Sequence, residues 1–206
     1  MTQEGIRRMA LTAERIQEIR GFLPESDILE PDSPAFASHT RPWSLSYDQS
    51  PRLVLCPSTE PLLQDAVKYL CESDLDFAVR SRGLGSSSAA DVVLSLRGFS
   101  EFAFDAASET ADVGAGLDWG EVDARLAELA PGYLLVGSRC PYVGVGGSTL
   151  AGGLSWLSHE LGLGSDPRNL LDARIVLSDG RARWASEDPD LLWGLRGGGG
   201  NFGGEL

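Results

Sequence analysis

The glycine-rich segment from Cys140 to Gly153 is the part of the chain whose residue types most clearly suggest chemistry. Its glycines stand at positions 144, 146, 147, 152 and 153. Glycine has no Cβ, so its backbone amide can approach a ligand closely and can adopt positive φ angles. Several such amides in succession form a concave anion site. The segment therefore predicts contact with a phosphate group or with the electron-rich edge of a ring.

Two shorter glycine segments precede this one. The first, at 80–88 with the sequence RSRGLGSSS, follows an apolar run. Its amides and hydroxyls could bind a pyrophosphate, and an ordinary flexible turn explains the same residues equally well. The second, Val113–Gly120, has glycines at 114, 116 and 120. By itself this second segment is more simply interpreted as a strand–turn–helix junction.

A fourth glycine segment, Asp188–Gly203, is the most specific of the set. Four consecutive glycines at 197–200 precede Asn201-Phe202-Gly203 and follow a short predicted helix that contains Trp193. Packing alone accounts poorly for so many glycines. The phosphate loop GxxxxGK[ST] and the nucleophile elbow GxSxG are both absent from the sequence. These absences argue against a P-loop nucleotidase and an α/β-hydrolase.

Apolar periodicity predicts the elements that must position these segments. Helices are predicted over 12–22, 58–71, 119–129 and 191–195, and strands over 52–56, 77–80, 92–96, 111–113, 173–177 and 181–185. Residues 29–43, rich in proline and serine, predict an extended lead-in. The strands at 52–56 and 77–80 enclose a helix, so a ligand site is expected in the loop after the second strand. That loop is the first glycine segment.

Taken in order, the four segments resemble the flavin-binding domain of the vanillyl-alcohol oxidase/p-cresol methylhydroxylase superfamily, and most closely its berberine-bridge-enzyme-like members. The resemblance covers about 41–203. It implies an α+β fold of the PCMH type, in which two lobes hold FAD between them. The expected organisation is an N-terminal helix and extended lead-in over 1–40, followed by the FAD-binding domain over 41–206. A separate substrate domain, present in the family, is absent from this sequence.

The resemblance also implies which residues contact the cofactor. They belong to the first segment, to the third segment (the one from Cys140 to Gly153) and to one later strand. These residues are Ser81, Arg82, Gly83, Leu84, Gly85, Ser86, Cys140, Val145, Gly146, Gly147, Thr149, Gly152, Gly153 and Val176. Val176 lies on the strand whose backbone, in the family, contacts the adenine and ribose end. The sequence also departs from the family where Pro167-Arg168 is inserted into an Asp-Asn-Leu motif.

Two departures concern the bond between protein and flavin. Arg82 occupies a position that is usually glycine, and Leu84 occupies the position of a histidine that commonly bonds covalently to the flavin ring. Leucine has no nucleophile, so no histidyl bond is expected. Cys140 stands where some relatives carry a cysteine bonded to the ring. Either a single cysteinyl bond or a packed free thiol is compatible with the sequence, and FAD is therefore expected to be non-covalent or held through Cys140 alone.

The function implied by the resemblance is that of an FAD-binding module in a flavin-dependent oxidoreductase. Such an enzyme transfers a hydride from a carbon of a small-molecule substrate to FAD and is reoxidised by dioxygen. The alternative is a non-catalytic FAD-binding remnant or a fragment. Catalytic residues are not assigned, because in the family the proton-accepting base lies beyond the part that this sequence matches.

Composition limits the other functional classes. The 206 residues carry a net charge of −13, which argues against nucleic acid as a partner. No apolar run approaches the roughly 20 residues of a membrane span. The sequence shows no signal peptide, so an intracellular, cytoplasmic location is expected. Cys56 and Cys71 are expected to be buried and reduced, and no metal site is predicted. No particular oligomeric state is predicted.

Overall fold

A parallel sheet forms the first of two α+β lobes. The computed structural model describes residues 11–85, 87–202 and 204–205, so Ser86 and Gly203 lie outside the described residues. The strands are Ile28–Leu29 (β1), Leu53–Leu55 (β2), Phe77–Arg80 (β3) and Val92–Ser95 (β4). Their order is β1-β2-β4-β3; β4 pairs in parallel with both β2 and β3, and β1 pairs antiparallel with β2. The predicted βαβ unit is therefore confirmed, with β4 inserted between its two strands.

Three helices accompany this sheet. They are Ala13–Arg20 (α1), Phe36–Thr40 (α2) and Glu60–Glu72 (α3). The predicted first helix is confirmed, with the Thr12 hydroxyl accepting from the Arg15 amide. The extended lead-in predicted over 29–43 is wrong in part, because α2 forms within it. Side-chain hydroxyls stabilise that short helix, since Thr40 Oγ1 donates to the Phe36 carbonyl.

The second lobe contains two small antiparallel sheets. A hairpin joins Phe102–Asp105 (β5) to Thr110–Val113 (β6), and Arg174–Val176 (β7) lies between Ala182–Trp184 (β8) and Gly204–Glu205 (β9). The helices are Trp119–Leu129 (α4), Val145–Leu150 (α5), Ser158–Leu161 (α6) and Pro189–Gly198 (α7). Helix α7 contains a kink at Arg196 and Gly197. The predicted hairpin at Asp179-Gly180 is confirmed as the β7–β8 connection.

The two lobes share apolar packing. Val176 of β7 is fully buried in the same cluster as Leu53 and Val92 of the first sheet. An ion pair also joins the lobes, with Arg174 Nη2 lying 2.7 Å from Glu60 Oε1 on α3. The lobes therefore form one packed body, which fixes the glycine segments of the two lobes relative to each other.

The structure adds to or corrects the sequence analysis at three places. Strand β5 was not predicted, because its residues Phe102 and Phe104 alternate with others over only four positions. Leu129, the last residue of the predicted helix 119–129, is 64% exposed because it lies in the last turn of α4. Cys71, predicted to be buried, is exposed near the end of α3. No helix in the described ranges is long and apolar enough to cross a membrane.

Candidate cofactor-binding site

The first glycine loop is built around a buried arginine at the end of β3. Arg80 is 3% exposed, and its guanidinium donates to the carbonyls of Arg41 at 2.7 Å and Ser87 at 3.2 Å. Gly83 lies directly over that guanidinium, so a side chain at this position would overlap it. These contacts hold the beginning of the loop in place, and whether the loop binds a ligand stays a prediction. Arg80 was not predicted to have this role.

Side chains attach the first loop to the second glycine segment. Ser81 Oγ donates to the Ala115 carbonyl at 2.6 Å. Arg82 makes an ion pair with Glu121, and its Nε lies 3.9 Å from Asp118 Oδ2. These two carboxylates are also the capping box of α4, in which each accepts from the backbone amide of the other residue. Arg82, at a position that is usually glycine in the family, thus makes an ion pair with α4 in this chain.

The third glycine segment joins the same cluster at the beginning of α5. Gly144 approaches Ser81 so closely that a side chain at 144 would overlap Ser81 Oγ. The Val145 amide donates to the Leu117 carbonyl at 2.9 Å. Trp119 Nε1 of α4 donates to Ser148 Oγ of α5 at 2.8 Å. The structure therefore brings the first three glycine segments together at the carboxyl edge of the parallel sheet, where ligands bind in α/β folds.

The rest of the third segment is held by its backbone. Gly146, Gly147 and Thr149 belong to α5, and Thr149 Oγ1 is buried without a hydrogen-bond partner among the described residues. After the helix, the Gly164 amide donates to the Gly153 carbonyl at 2.9 Å. Gly153 has φ of +67° and a Cβ there would lie 2.9 Å from Gly164 Cα. Glycine is therefore required at 153 by both conformation and contact.

The remaining predicted residues occupy different surroundings. Leu84 and Gly85 continue the first loop, and Leu84 lines a cavity of about 340 Å³ with Arg41, Trp43 and Arg82. Cys140, the first residue of the third segment, is a half-buried free thiol. Val176 is fully buried in the core. The structure gives it no contact with the first loop.

A larger cavity, of about 900 Å³, lies between the β5–β6 hairpin and the β7–β8 strands. Among the predicted residues it is lined by Val145 and Thr149. The smaller cavity is lined by Arg82, Gly83 and Leu84 of the first loop, so the predicted residues contribute to two cavities. An elongated ligand, rather than a compact one, fits such an arrangement.

Positive charge accumulates at the carboxyl edge of the first sheet. His39 Nδ1 lies 2.8 Å from Ser95 Oγ, and burial together with the charges of Arg97, Arg80 and Arg82 lowers the pKa of His39 to about 4. Burial also raises the pKa of the neighbouring Cys56 thiol to about 11. His39 and Cys56 are therefore both uncharged at neutral pH. Neither His39 nor Arg97 was singled out from the sequence, because nothing local marks a residue whose neighbours come from other strands.

The donor set of the site fits a dinucleotide cofactor. It consists of backbone amides, hydroxyls and guanidinium groups, which are the partners of diphosphate oxygens. The buried side-chain atoms that have no hydrogen-bond partner in the described residues include three at this site, Arg80 Nε, Arg82 Nε and Thr149 Oγ1. No cluster of three metal-ligating side chains occurs in the described ranges. Since FAD has a diphosphate and a ring with polar edges, the residues present fit it.

Comparison with known proteins gives the same answer. The family described as "FAD binding domain" matches residues 51–186. (R)-6-hydroxynicotine oxidase of Paenarthrobacter nicotinovorans is 31% identical over 185 residues, which are 87% of this chain and 40% of that protein. Berberine bridge enzyme-like 23 of Arabidopsis thaliana is 31% identical over 196 residues, which are 85% of this chain and 36% of that protein.

A solved structure supports the fold. The crystal structure of 6-hydroxy-D-nicotine oxidase from Arthrobacter nicotinovorans superimposes with a TM-score of 0.79 and 30% identity, covering 87% of this chain and 40% of that one. The expected α+β fold of the PCMH type is thereby confirmed. The chain spans about 40% of the length of the curated relatives it matches.

Proposed function

The chain belongs to the FAD binding domain family, and from that premise we propose that it is the cofactor-binding module of a flavin-dependent oxidoreductase acting on a small molecule. FAD, when bound, accepts a hydride from a substrate carbon and is reoxidised by dioxygen. The observation that carries the proposal is the meeting of three glycine segments through Ser81, Ala115 and Gly144. That meeting makes one continuous surface of donors out of segments that are distant in sequence.

We propose that the first loop binds the diphosphate. Ser81, Gly83, Gly85 and Ser86 would provide amides or hydroxyls; Ser86 lies outside the described residues, so its part rests on sequence alone. The support is the position of the loop at the carboxyl end of β3 and the positive charge around it. Backbone amides and cations together bind phosphate oxygens while water is excluded by the walls of the site.

We propose that the third segment, with its glycines and Thr149, contacts the rest of the cofactor. Gly147 and Gly152 have open space where a side chain would lie, whereas Gly146 and Gly153 are buried, and Cys140 is half-buried. The adenine end is assigned to the backbone near Val176, whose side chain is in the core. Whether the Cys140 thiol packs against the ring or bonds to it stays open, whereas Leu84 leaves no nucleophile for a histidyl bond.

Two titratable side chains at the carboxyl edge of the first sheet, His39 and Cys56, are poorly suited to accept a substrate proton at neutral pH. A general base works best when its pKa is near the working pH. The pKa of His39 is about 4 and that of Cys56 about 11. This observation favours the second candidate, a chain that binds FAD without completing catalysis by itself.

Reconstitution followed by reduction separates the two candidates. The purified chain is mixed with FAD, freed of excess cofactor, and its absorption is followed after addition of a panel of alcohols, amines and sugars. We expect bound flavin with slow reduction, because neither His39 nor Cys56 is suited to act as the base. Rapid bleaching by any substrate would show that the site is complete within these residues and would exclude the non-catalytic candidate.

The three free cysteines of the described structure support an intracellular location for this module, because reduced thiols persist in that compartment. Fractionation of the source cells with an antibody against the chain would test this proposal. Recovery of the protein from the medium or from an oxidising compartment would contradict it.

A further inference from the structure

The arginine at position 82 has surroundings that an ordinary surface ion pair lacks. Its side chain is 19% exposed and lines the cavity beside the first loop. Both of its partners, Glu121 and Asp118, already have backbone amides to accept from in the capping box of α4. The helix cap is therefore complete without Arg82, and the ion pair is an additional contact.

A second arginine, Arg97, has a buried donor without a hydrogen-bond partner among the described residues, and its charge acts on His39 as that of Arg82 does. Arg97 follows β4 by two residues, and Gly116 of the second segment packs so tightly on it that a Cβ there would lie 2.9 Å from Arg97 Cα. Its Nε is buried and has no hydrogen-bond partner in the described part of the chain. Arg82 Nε is in the same state. Two half-buried guanidinium groups thus each keep a donor without an acceptor.

The charges of Arg82, Arg97, Glu121 and Asp118 act on one another. Burial lowers the pKa of Arg97, and the charge of Arg82 lowers it further, whereas Glu121 and Asp118 act in the opposite direction. Although burial alone would raise the pKa of Glu121, the Asp118 amide and Arg82 hold it below its usual value. Glu121 is therefore ionised at neutral pH. It neutralises part of the charge of Arg82 and Arg97, each of which has an Nε without a hydrogen-bond acceptor among the described residues.

We propose that Arg82 and Arg97 form a cation pair that binds the diphosphate of the dinucleotide. Without the dinucleotide, the Glu121 carboxylate pairs with Arg82, and the diphosphate must displace this competing anion to bind. This inference rests on the proposed function and adds to it two side chains outside the backbone-donor set. It assigns to Arg82 a contact that a glycine at this position could not make. It also predicts the direction of the effect of Glu121 on affinity: the carboxylate opposes diphosphate binding.

The direction in which a Glu121 substitution changes affinity separates this proposal from a purely structural role of Arg82. If Arg82 only fastens the loop to α4, removing either partner of the ion pair weakens ligand binding. If Arg82 binds the diphosphate, Arg82→Gln weakens binding and Glu121→Gln strengthens it. Glutamine at 121 retains an oxygen that can accept from the Asp118 amide, so the helix cap is preserved.

The experiment is isothermal calorimetry of the whole chain with ADP, FAD and riboflavin. We expect Arg82→Gln and Arg97→Gln each to weaken ADP binding about tenfold or more, in line with hydrogen bonds to charged groups. We expect Glu121→Gln to tighten it about threefold, since a partly screened carboxylate is removed. Riboflavin, which has no phosphate, should bind all variants alike.

The matched control is Arg20→Gln. Arg20 also pairs with two carboxylates, Glu25 and Glu30, and also has a buried Nε without a partner among the described residues, but it lies on α1. ADP affinity should be unchanged in this variant. Circular dichroism and thermal unfolding of each variant show whether the fold is retained.

The outcomes distinguish the inference from the function on which it rests. If the folded wild-type chain binds FAD and the two arginine variants bind ADP as the wild type does, the cation pair is wrong and the FAD site stands. If Glu121→Gln weakens ADP binding as Arg82→Gln does, the ion pair of Arg82 only holds the first loop against α4, and the proposed diphosphate contact is wrong. If the folded wild-type chain binds neither FAD nor ADP, the proposed function itself fails.

Discussion

The first glycine loop and the third glycine segment meet in one site but are fixed by different interactions. Side chains hold the first: Arg80 binds backbone carbonyls from below and Arg82 pairs with α4. Backbone holds the third, through the amide of Gly164 and the conformation of Gly153. The first loop should therefore respond to changes of charge and pH, and the third segment to the addition of a single methyl group.

The largest effect is expected from Arg80→Met. Methionine fills part of the space but cannot donate to the carbonyls of Arg41 and Ser87, which would lose their partner. Leaving buried acceptors unsatisfied should lower the free energy of unfolding by about 3 kcal/mol. Urea denaturation measures this, with the exposed Arg52→Met as control. Equal stability of the two variants would show that side chains do not hold the first loop.

The third segment is tested by Gly153→Ala. The methyl group would meet Gly164 and would also require a left-handed conformation that alanine disfavours, so we expect a loss of about 2 kcal/mol in unfolding free energy. Gly147→Ala is the matched control, because it lies in α5 with open space around it and should leave stability unchanged or raise it by up to about 1 kcal/mol. A tolerated alanine at 153 would contradict the backbone account of this segment.

The pH response should come from the first loop's side of the site. The folded-state pKa of His39, about 4, lies below its ordinary value of 6.5, so the unfolded chain binds a proton first as pH falls. The contribution of neutral His39 to the free energy of unfolding is therefore fully present above pH 6.5 and is lost progressively as the pH falls toward 4. His39→Gln should flatten the stability profile in that window. Parallel profiles for variant and wild type would show that His39 does not titrate as a buried neutral group.

The smallest structural effect is expected at Cys140, where the question is chemical. Cys140→Ser should change the unfolding free energy by less than about 1 kcal/mol, because the side chain is only half-buried. After acid precipitation, all flavin should be extractable from this variant. Any adduct on the wild-type chain should map to the peptide that contains Cys140. A flavin adduct on another peptide would contradict the assignment.

The sequence predicted the elements with a clear period and the segments with unusual glycine content. The βαβ unit and α4 could be read from apolar spacing, and the glycine segments from composition. The interactions that join them could not be predicted, because they link residues far apart in the chain. Ser81 with Ala115 and Arg82 with Glu121 are such pairs. Local pattern carries no information on them.

Errors of the sequence analysis have local causes. Helix α2 was missed because five residues are too few to show a helical period, and its hydroxyl contacts are not visible in a pattern. Cys71 was placed inside because its neighbours are apolar, yet it faces outward from α3. Arg80 looked like the polar end of a strand. Its burial follows from carbonyls supplied by residues 40, 41 and 87.

The central claim, that these glycine segments form an FAD site, is tested most directly by titrating the purified chain with FAD and FMN in parallel. FAD should bind, shift its visible absorption bands, and be recovered as FAD after denaturation. FMN should bind more weakly, because it lacks the second phosphate and the adenosine that extend along the site. A folded chain that binds no FAD, or that binds FMN as tightly as FAD, would contradict the account.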